Sequence, residues 1–196
     1  MIVGITGSIA TGKSTVVNYL LKLGYKVVDS DKIVHDLYLE QATINEIEQA
    51  FGKDVISHRR IDRNRLGEIV FNNNEKIRLL NSIIHPKVID KIKEEIKSYV
   101  NNRFDIIFVD IPLLFEENLE YLVDKIILVY LDKNKQLERL MKRDNIDKEY
   151  AIKKIAAGMN IEIKKEKSDF IIDNSYDLIY TYNEVDRVLR RIRNEI

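Results

Sequence analysis

The 196-residue chain contains no cysteine, only two prolines and seven glycines, and no excess of charge of either sign, with 32 Lys and Arg against 32 Asp and Glu. Without cysteine there is no disulfide, no thiolate metal site and no cysteine nucleophile. The charge balance argues against binding nucleic acid by general electrostatics, which needs a phosphate-neutralising excess, although a local basic pocket stays open. No apolar run approaches the roughly 20 residues that span a bilayer, so no membrane partner is expected. There is no repeat, no low-complexity tract and no Pro/Gly/Ser linker. The chain enters a strand at once through Met1-Ile2-Val3-Gly4-Ile5-Thr6, which leaves no room for a signal peptide, and a cytoplasmic protein is expected. What is present fits a folded globular chain, with 45% apolar and 33% charged residues. A chain this long buries roughly 70% of its unfolded surface and needs no covalent staples. It is the size of one α/β domain, or of one with a modest insertion.

Apolar runs of strand length lie at Ile2–Ile5, Val27–Val28, Ile106–Val109, Ile126–Leu131 and Phe170–Ile172. Several are unbroken β-branched blocks, which suit strands buried on both faces of a parallel sheet. Segments of helical period, about Lys13–Leu23, Asn134–Lys142 and Glu184–Ile192, separate most of them. The alternation predicts an α/β fold of three layers, a parallel sheet covered by helices on both faces. The spacing is uneven. Roughly 75 residues separate the second and third strands, far more than the 10–15 of a simple crossover. Residues 31–102 are therefore expected to form a helical insertion over the carboxyl edge of the sheet, where open α/β sheets bind ligands. A Lys-rich stretch, 144–167, with Ala156-Ala157-Gly158 at its centre, reads either as a mobile helical lid or as two ordinary surface helices. The remaining segments, 1–30, 103–143 and 168–196, would form the core. The ten tyrosines are ascribed to packing.

Gly7-Ser8-Ile9-Ala10-Thr11-Gly12-Lys13-Ser14 matches G-x-x-x-x-G-K-[ST], straight after a strand and opening a helix. In such a loop the glycines let successive backbone N–H groups turn inward around phosphates, and the helix adds its N-terminal partial charge. Gly7, Ala10, Thr11, Gly12, Lys13, Ser14 and Thr15 are the expected nucleotide cradle. Lys13 would reach the β- and γ-phosphates and the Ser14 hydroxyl would hold Mg²⁺. His35, His58 and His85 show no ligand spacing, so no metal beyond the nucleotide's own is expected. A switch GTPase would need N-K-x-D, but Leu137 follows Asn134-Lys135 where the Asp belongs. A motor ATPase would end a strand in paired acids, whereas Asp110 stands alone before Ile111-Pro112. Small-molecule kinases remain.

On the acceptor side, Asp29-Ser30-Asp31 closes the second strand. Strand alternation would put Asp29 and Asp31 on one side and Ser30 on the other. One acid could take the acceptor's hydroxyl proton while the other caps the helix Lys32–Leu39, and spacing does not choose between them. Arg139 and Arg143, four apart on one helix, form either a clamp on the migrating phosphoryl group or a solvated basic face.

These residues together resemble the dephospho-CoA kinase family along nearly the whole chain. The matches run through Ile5-Thr6-Gly7, Leu23-Gly24, Val28-Asp29-Ser30-Asp31, Phe51-Gly52, Ile61-Asp62-Arg63-Asn64-Arg65-Leu66, Val70-Phe71 and Ile84-His85-Pro86. They continue through Asp110-Ile111-Pro112-Leu113-Leu114-Phe115-Glu116, Gln136-Leu137-Glu138-Arg139-Leu140 with Arg143, and Ser168-Asp169-Phe170-Ile171-Ile172-Asp173-Asn174. The resemblance implies a P-loop NTPase core, a helical CoA-binding domain and a lid. It also implies transfer of the ATP γ-phosphoryl group to the 3′-hydroxyl of dephospho-CoA, with ATP and dephospho-CoA as the bound partners. Carried over, Asp31 becomes the general base or hydroxyl-orienting acid and Asp29 a supporting or Mg²⁺-side acid. Arg139 becomes the leading phosphate-stabilising arginine with Arg143 beside it, and Thr6 lies at the reacting centre. Arg63, His85 and Pro112 fall on the substrate side, Arg63 and His85 as binding or structural residues.

Three departures stand out. Ser8 and Ala10 occupy loop positions where the family commonly has glycine, and Ala10 is expected to be mild if its φ stays negative. The stretch Arg59–Arg63 lacks a preceding glycine, so its turn is expected to differ. Gly158 stands where glutamine is frequent. The alternatives are another P-loop small-molecule or nucleoside-phosphate kinase, or a slowly hydrolysing regulatory protein.

Overall fold

The computed structural model describes residues 1–70 and 73–196. Phe71, one of the residues carrying the family resemblance, lies outside them. Along the chain the elements are β1 (Ile2–Gly7), α1 (Lys13–Lys22), β2 (Lys26–Asp29), α2 (Ser30–Leu37), α3 (Gln41–Phe51), β3 (Ile56–Ser57), β4 (Arg60–Ile61), α4 (Arg63–Val70) and α5 (Asn74–Asn101). They continue with β5 (Ile107–Asp110), β6 (Lys125–Tyr130), α6 (Lys133–Asp144), α7 (Lys148–Ala156), α8 (Ile161–Glu166), β7 (Phe170–Asp173) and α9 (Leu178–Arg193). Contacts divide the described residues into two units, Met1–Val28 with Ser98–Ile196, and Asp29–Lys97.

In the first unit five strands form one sheet in the order β2-β5-β1-β6-β7. The β1–β5, β1–β6 and β6–β7 pairs are parallel, with Ile5 opposite Asp110 on one side of β1 and Gly7 opposite Val129 on the other. Alternate strand residues Val3, Ile5, Ile127, Val129 and Ile172 pack against Val16 and Leu20 of α1 and Val185, Val188 and Ile192 of α9. The residues between them, among them Ile107, Val109 and Leu128, are buried as well. Burial on both faces is why the strands read as solid apolar blocks. The chain leaves β1 toward β2 on one side and later reaches β6 on the other. The carboxyl end of β1 is thus a topological switch point, where such sheets bind ligands.

The second unit is helical with one antiparallel hairpin, β3–β4. Ile84, Val88, Ile92 and Ile96 give α5 a buried stripe at i+4 spacing. The dipeptide His85-Pro86 predicts the break of one helix and the start of another, yet α5, 28 residues long, runs through Pro86. A proline removes one i→i−4 bond and pushes against one carbonyl, and the buried stripe continuous on both sides of it outweighs that loss. His58 and Arg59 have φ of 50° and 61°, the two consecutive left-handed residues of a type I′ hairpin turn.

Candidate active site

The loop after β1 is held by its carbonyls. The Gly7 oxygen accepts from Lys164 Nζ (3.3 Å), and the Ser8 oxygen accepts from both the N–H and the hydroxyl of Thr11 (3.3 and 2.9 Å). The Ile9 oxygen accepts from Gln136 Nε2 (2.8 Å), and the Thr11 oxygen from Asn174 Nδ2 (2.7 Å). Asn174 is itself fixed by Thr181, whose hydroxyl donates to Asn174 Oδ1 at 2.7 Å. In a trans peptide the N–H points opposite to the C=O. Tying the Gly7, Ile9 and Thr11 carbonyls to those side chains therefore aims the Ser8, Ala10 and Gly12 N–H groups the other way. Amides left pointing away from such tethers are the donors a phosphate cradle uses.

Close packing explains the glycines. A Cβ on Gly7 would lie 2.6 Å from Thr11 Oγ1, and one on Gly12, at φ 87°, would lie 2.0 Å from Asn174 Nδ2. Ala10 departs from expectation: its φ is 61°, so its side chain sits in the left-handed region and the loop carries strain there. Gly12 is the N-cap of α1, which leaves first-turn amides unpartnered within the helix and directs its positive end at the cradle. Lys13 forms an ion pair with Asp110, at the end of the neighbouring strand β5. Ser14, the second residue of α1, is exposed.

Arg139 reaches this loop. Its Nη2 donates to the Asn174 carbonyl at 3.0 Å, and its Nη1 would lie 3.6 Å from a Cβ on Gly12. Arg143, one turn further along α6, pairs with its neighbour in the chain. Its Nε lies 2.7 Å from Asp144 Oδ1, and Asp144 also takes Lys154 of α7 at 2.7 Å. The Arg143 guanidinium first, and then Lys154, hold the Asp144 carboxyl down to about 2. Thr6 is fully buried and donates its hydroxyl to the Pro112 carbonyl at 3.0 Å. That bond joins the end of β1 to the residues that follow β5. Pro112 likewise spends its carbonyl within the protein, and Thr11 its N–H and hydroxyl.

In the second unit Asp29 and Asp31 do not alternate along a strand. Asp29 ends β2 as the N-cap of α2, accepting from the Lys32 N–H at 3.0 Å, and Asp31 lies in the first helical turn. Ser30 is buried while Asp31 is exposed. Capping thus falls to Asp29. Arg63 opens α4 with its guanidinium 5.2 Å from the centre of the Tyr38 ring, and His85 is half-buried in α5.

Sequence reasoning missed Asp110, Gln136, Asn174, Lys164 and Glu116 as parts of this site. Asp110 was visible as a strand-ending acid, and served to exclude motor ATPases and to match the family without being given a role. Lys164 gave no signal, because one buried lysine in a Lys-rich helix looks like its solvated neighbours. It pairs with Glu116 at 2.8 Å, and Glu116 Oε1 also accepts the Met159 N–H at 3.1 Å. Burial pushes the Glu116 carboxyl up, but Lys164 and the surrounding N–H groups outweigh it and leave it below its ordinary value.

Comparison with known proteins agrees with this geometry. The dephospho-CoA kinase (CoaE) family model matches residues 1–179. A dephospho-CoA kinase from Oceanobacillus iheyensis is 39% identical over 193 residues, covering 97% of this chain and 97% of that protein. Among solved structures, a dephospho-CoA kinase from Campylobacter jejuni is 35% identical with a TM-score of 0.68, covering 97% of this chain and 96% of that one. TT1252 from Thermus thermophilus is 28% identical with a TM-score of 0.82, covering 100% and 97%. The match runs through phosphate loop and helical insertion alike, and this chain belongs to the dephospho-CoA kinase family, the P-loop kinases of the last step of coenzyme A synthesis.

Proposed function

We propose that the chain transfers the γ-phosphoryl group of ATP to the ribose 3′-hydroxyl of dephospho-CoA, giving coenzyme A and ADP. The observation that carries this reading is the phosphate loop whose Ile9 and Thr11 carbonyls are tied to Gln136 and Asn174, with Lys13 at its end and Arg139 beside Gly12. Family membership along the chain supplies the acceptor. The Ser8, Ala10 and Gly12 amides and the Lys13 ammonium take the β- and γ-phosphates, Lys13 exchanging Asp110 for phosphate oxygens. Arg139 neutralises charge that grows on the γ-phosphoryl group in the transition state. Asp31 accepts the 3′-hydroxyl proton as that oxygen bonds to phosphorus. The bond from phosphorus to the β–γ bridging oxygen breaks, and its electron pair leaves with ADP. Asp29 holds the start of α2, and so the place of Asp31.

A nucleotide-bound Mg²⁺ needs only one or two protein oxygens, the rest coming from phosphates and water. The exposed Ser14 hydroxyl beside Lys13 suits that need, and when bound the ion spreads charge on the β- and γ-oxygens. Residues 31–102 hold the acceptor, with Arg63 and His85 among them, and 144–167 serve as a lid. Within it Lys164 and the buried Ile161 anchor α8, and Lys154 ties α7 to Asp144. The setting is the cytoplasm, with no nucleic-acid or membrane partner.

The test is ADP release from Mg·ATP with and without dephospho-CoA, with AMP and shikimate as control acceptors. Stimulation by dephospho-CoA alone is expected. Stimulation by another acceptor would replace the substrate assignment, and a rate indifferent to every acceptor would favour a regulatory nucleotidase. In the same assay Asp31→Asn is expected to abolish turnover while ATP binding persists, and near-normal turnover would remove Asp31 as the base. Arg139→Ala is expected to lose about 10³–10⁵-fold in kcat; a loss under about tenfold would put Arg139 outside the reaction.

A further inference from the structure

Among the described residues the most enclosed charged side chain is Lys164, 1% exposed, on a six-residue helix whose neighbouring Lys165 faces solvent. Its ammonium lies 2.8 Å from Glu116 Oε1, 3.3 Å from the Gly7 carbonyl oxygen and 3.4 Å from the Pro112 carbonyl oxygen. Three acceptors meet the three N–H bonds of an ammonium. Two of them stand at the reacting end of the sheet. Gly7 opens the phosphate loop, and Pro112, whose carbonyl also takes the Thr6 hydroxyl, follows Asp110, the partner of Lys13. The third acceptor, Glu116, receives the Met159 N–H between α7 and α8 through the same oxygen, while its Oε2 is buried without a hydrogen bond. Stability alone does not account for a charge placed here, because buried ion pairs are often matched or bettered by apolar packing.

We propose that Lys164 is a positioning residue for phosphoryl transfer: it holds the Gly7 and Pro112 carbonyls in one arrangement and, through Glu116 and Met159, ties that arrangement to the 144–167 segment. The inference rests on the nucleotide-binding reading of the loop. A cation on the Gly7 oxygen polarises the Gly7–Ser8 peptide, which makes the Ser8 N–H a stronger donor on the opposite side. It also fixes the direction of that N–H before nucleotide arrives, so binding needs no reorganisation of the loop. Arginine would not replace it, since a planar guanidinium cannot direct three bonds to acceptors spread about one atom.

The test compares wild type, Lys164→Met, and the double variant Lys164→Met with Glu116→Gln. Three quantities are read: affinity for Mg²⁺ and N-methylanthraniloyl-ADP by fluorescence, kcat with dephospho-CoA, and thermal midpoint. Lys164→Met alone strands a buried carboxylate and is expected to lower the midpoint. The double variant removes both charges and keeps an acceptor for the Met159 N–H, so its midpoint is expected to return to within a few degrees of wild type. Its nucleotide affinity and kcat are each expected to stay at least roughly tenfold below wild type. Affinity and kcat restored together with the midpoint would overturn the proposal, because Lys164 would then serve only the fold. A double variant that does not fold would overturn it too, by making the pair a structural requirement. The affinity needs no acceptor, so a wrong acceptor assignment would appear in the wild-type turnover and leave this comparison intact.

Discussion

Ala10 carries the clearest conflict between a residue and its backbone. A φ of 61° places an L side chain where glycine is at ease, at a point where the family commonly uses glycine. Relief of that strain exceeds the extra chain entropy that glycine loses on folding. Ala10→Gly is therefore expected to stabilise the protein by about 1 kcal/mol, seen as a higher urea midpoint with unchanged slope. A lowered midpoint would mean that the methyl group makes packing contacts worth more than the strain. Sequence logic located the loop and its glycines but could not see this angle, because φ depends on what restrains the neighbouring carbonyls. The restraints on Ile9 and Thr11 come from Gln136 and Asn174, more than a hundred positions away.

At the scale of elements, the β3–β4 hairpin and the α6–α7 junction each have a measurable property. Type I′ turns favour Asn-Gly, and here His58-Arg59 hold both left-handed positions. The double substitution His58→Asn with Arg59→Gly is expected to stabilise by about 1–2 kcal/mol in urea unfolding. No gain would show that the two side chains hold the turn by other contacts. At the junction, Asp144 joins Arg143 to Lys154 of α7. Its carboxyl is depressed from 3.8 to about 2. A depressed carboxyl stabilises the fold above its ordinary value, and that contribution is lost as pH falls through the lowered one. The stability difference between wild type and Asp144→Asn is thus expected to be present at about pH 5 and to vanish toward about pH 2; a pH-independent difference would contradict the pairing. The elements themselves were largely legible. Buried parallel strands announce themselves as β-branched blocks, and α1, α6 and α9 by apolar period. The reading failed at Pro86, where a local breaker was outweighed by the Ile84–Ile96 stripe, and at Asp29-Ser30-Asp31, where strand alternation was carried two residues into a helix.

For the whole molecule, the phosphate loop, the lysine and the arginine-bearing helix could be read from spacing because local chain geometry dictates them. The tethers of the loop could not, since Lys164, Gln136 and Asn174 meet it only once the sheet has brought β1, α6, α8 and β7 together. Asp29 and Asp31 were legible as a pair of acids, and the structure gives the α2 cap to Asp29. The acceptor came from kinship, because a phosphate loop states what donates and leaves open what receives. The most direct test of the account is therefore the position of the new phosphate. Purified protein with Mg·ATP and dephospho-CoA would be followed by phosphorus NMR with proton correlation. The account predicts one new phosphomonoester, coupled to the ribose H3′ and formed in step with ADP. Inorganic phosphate in place of that signal, or a phosphomonoester coupled to any other position, would contradict it.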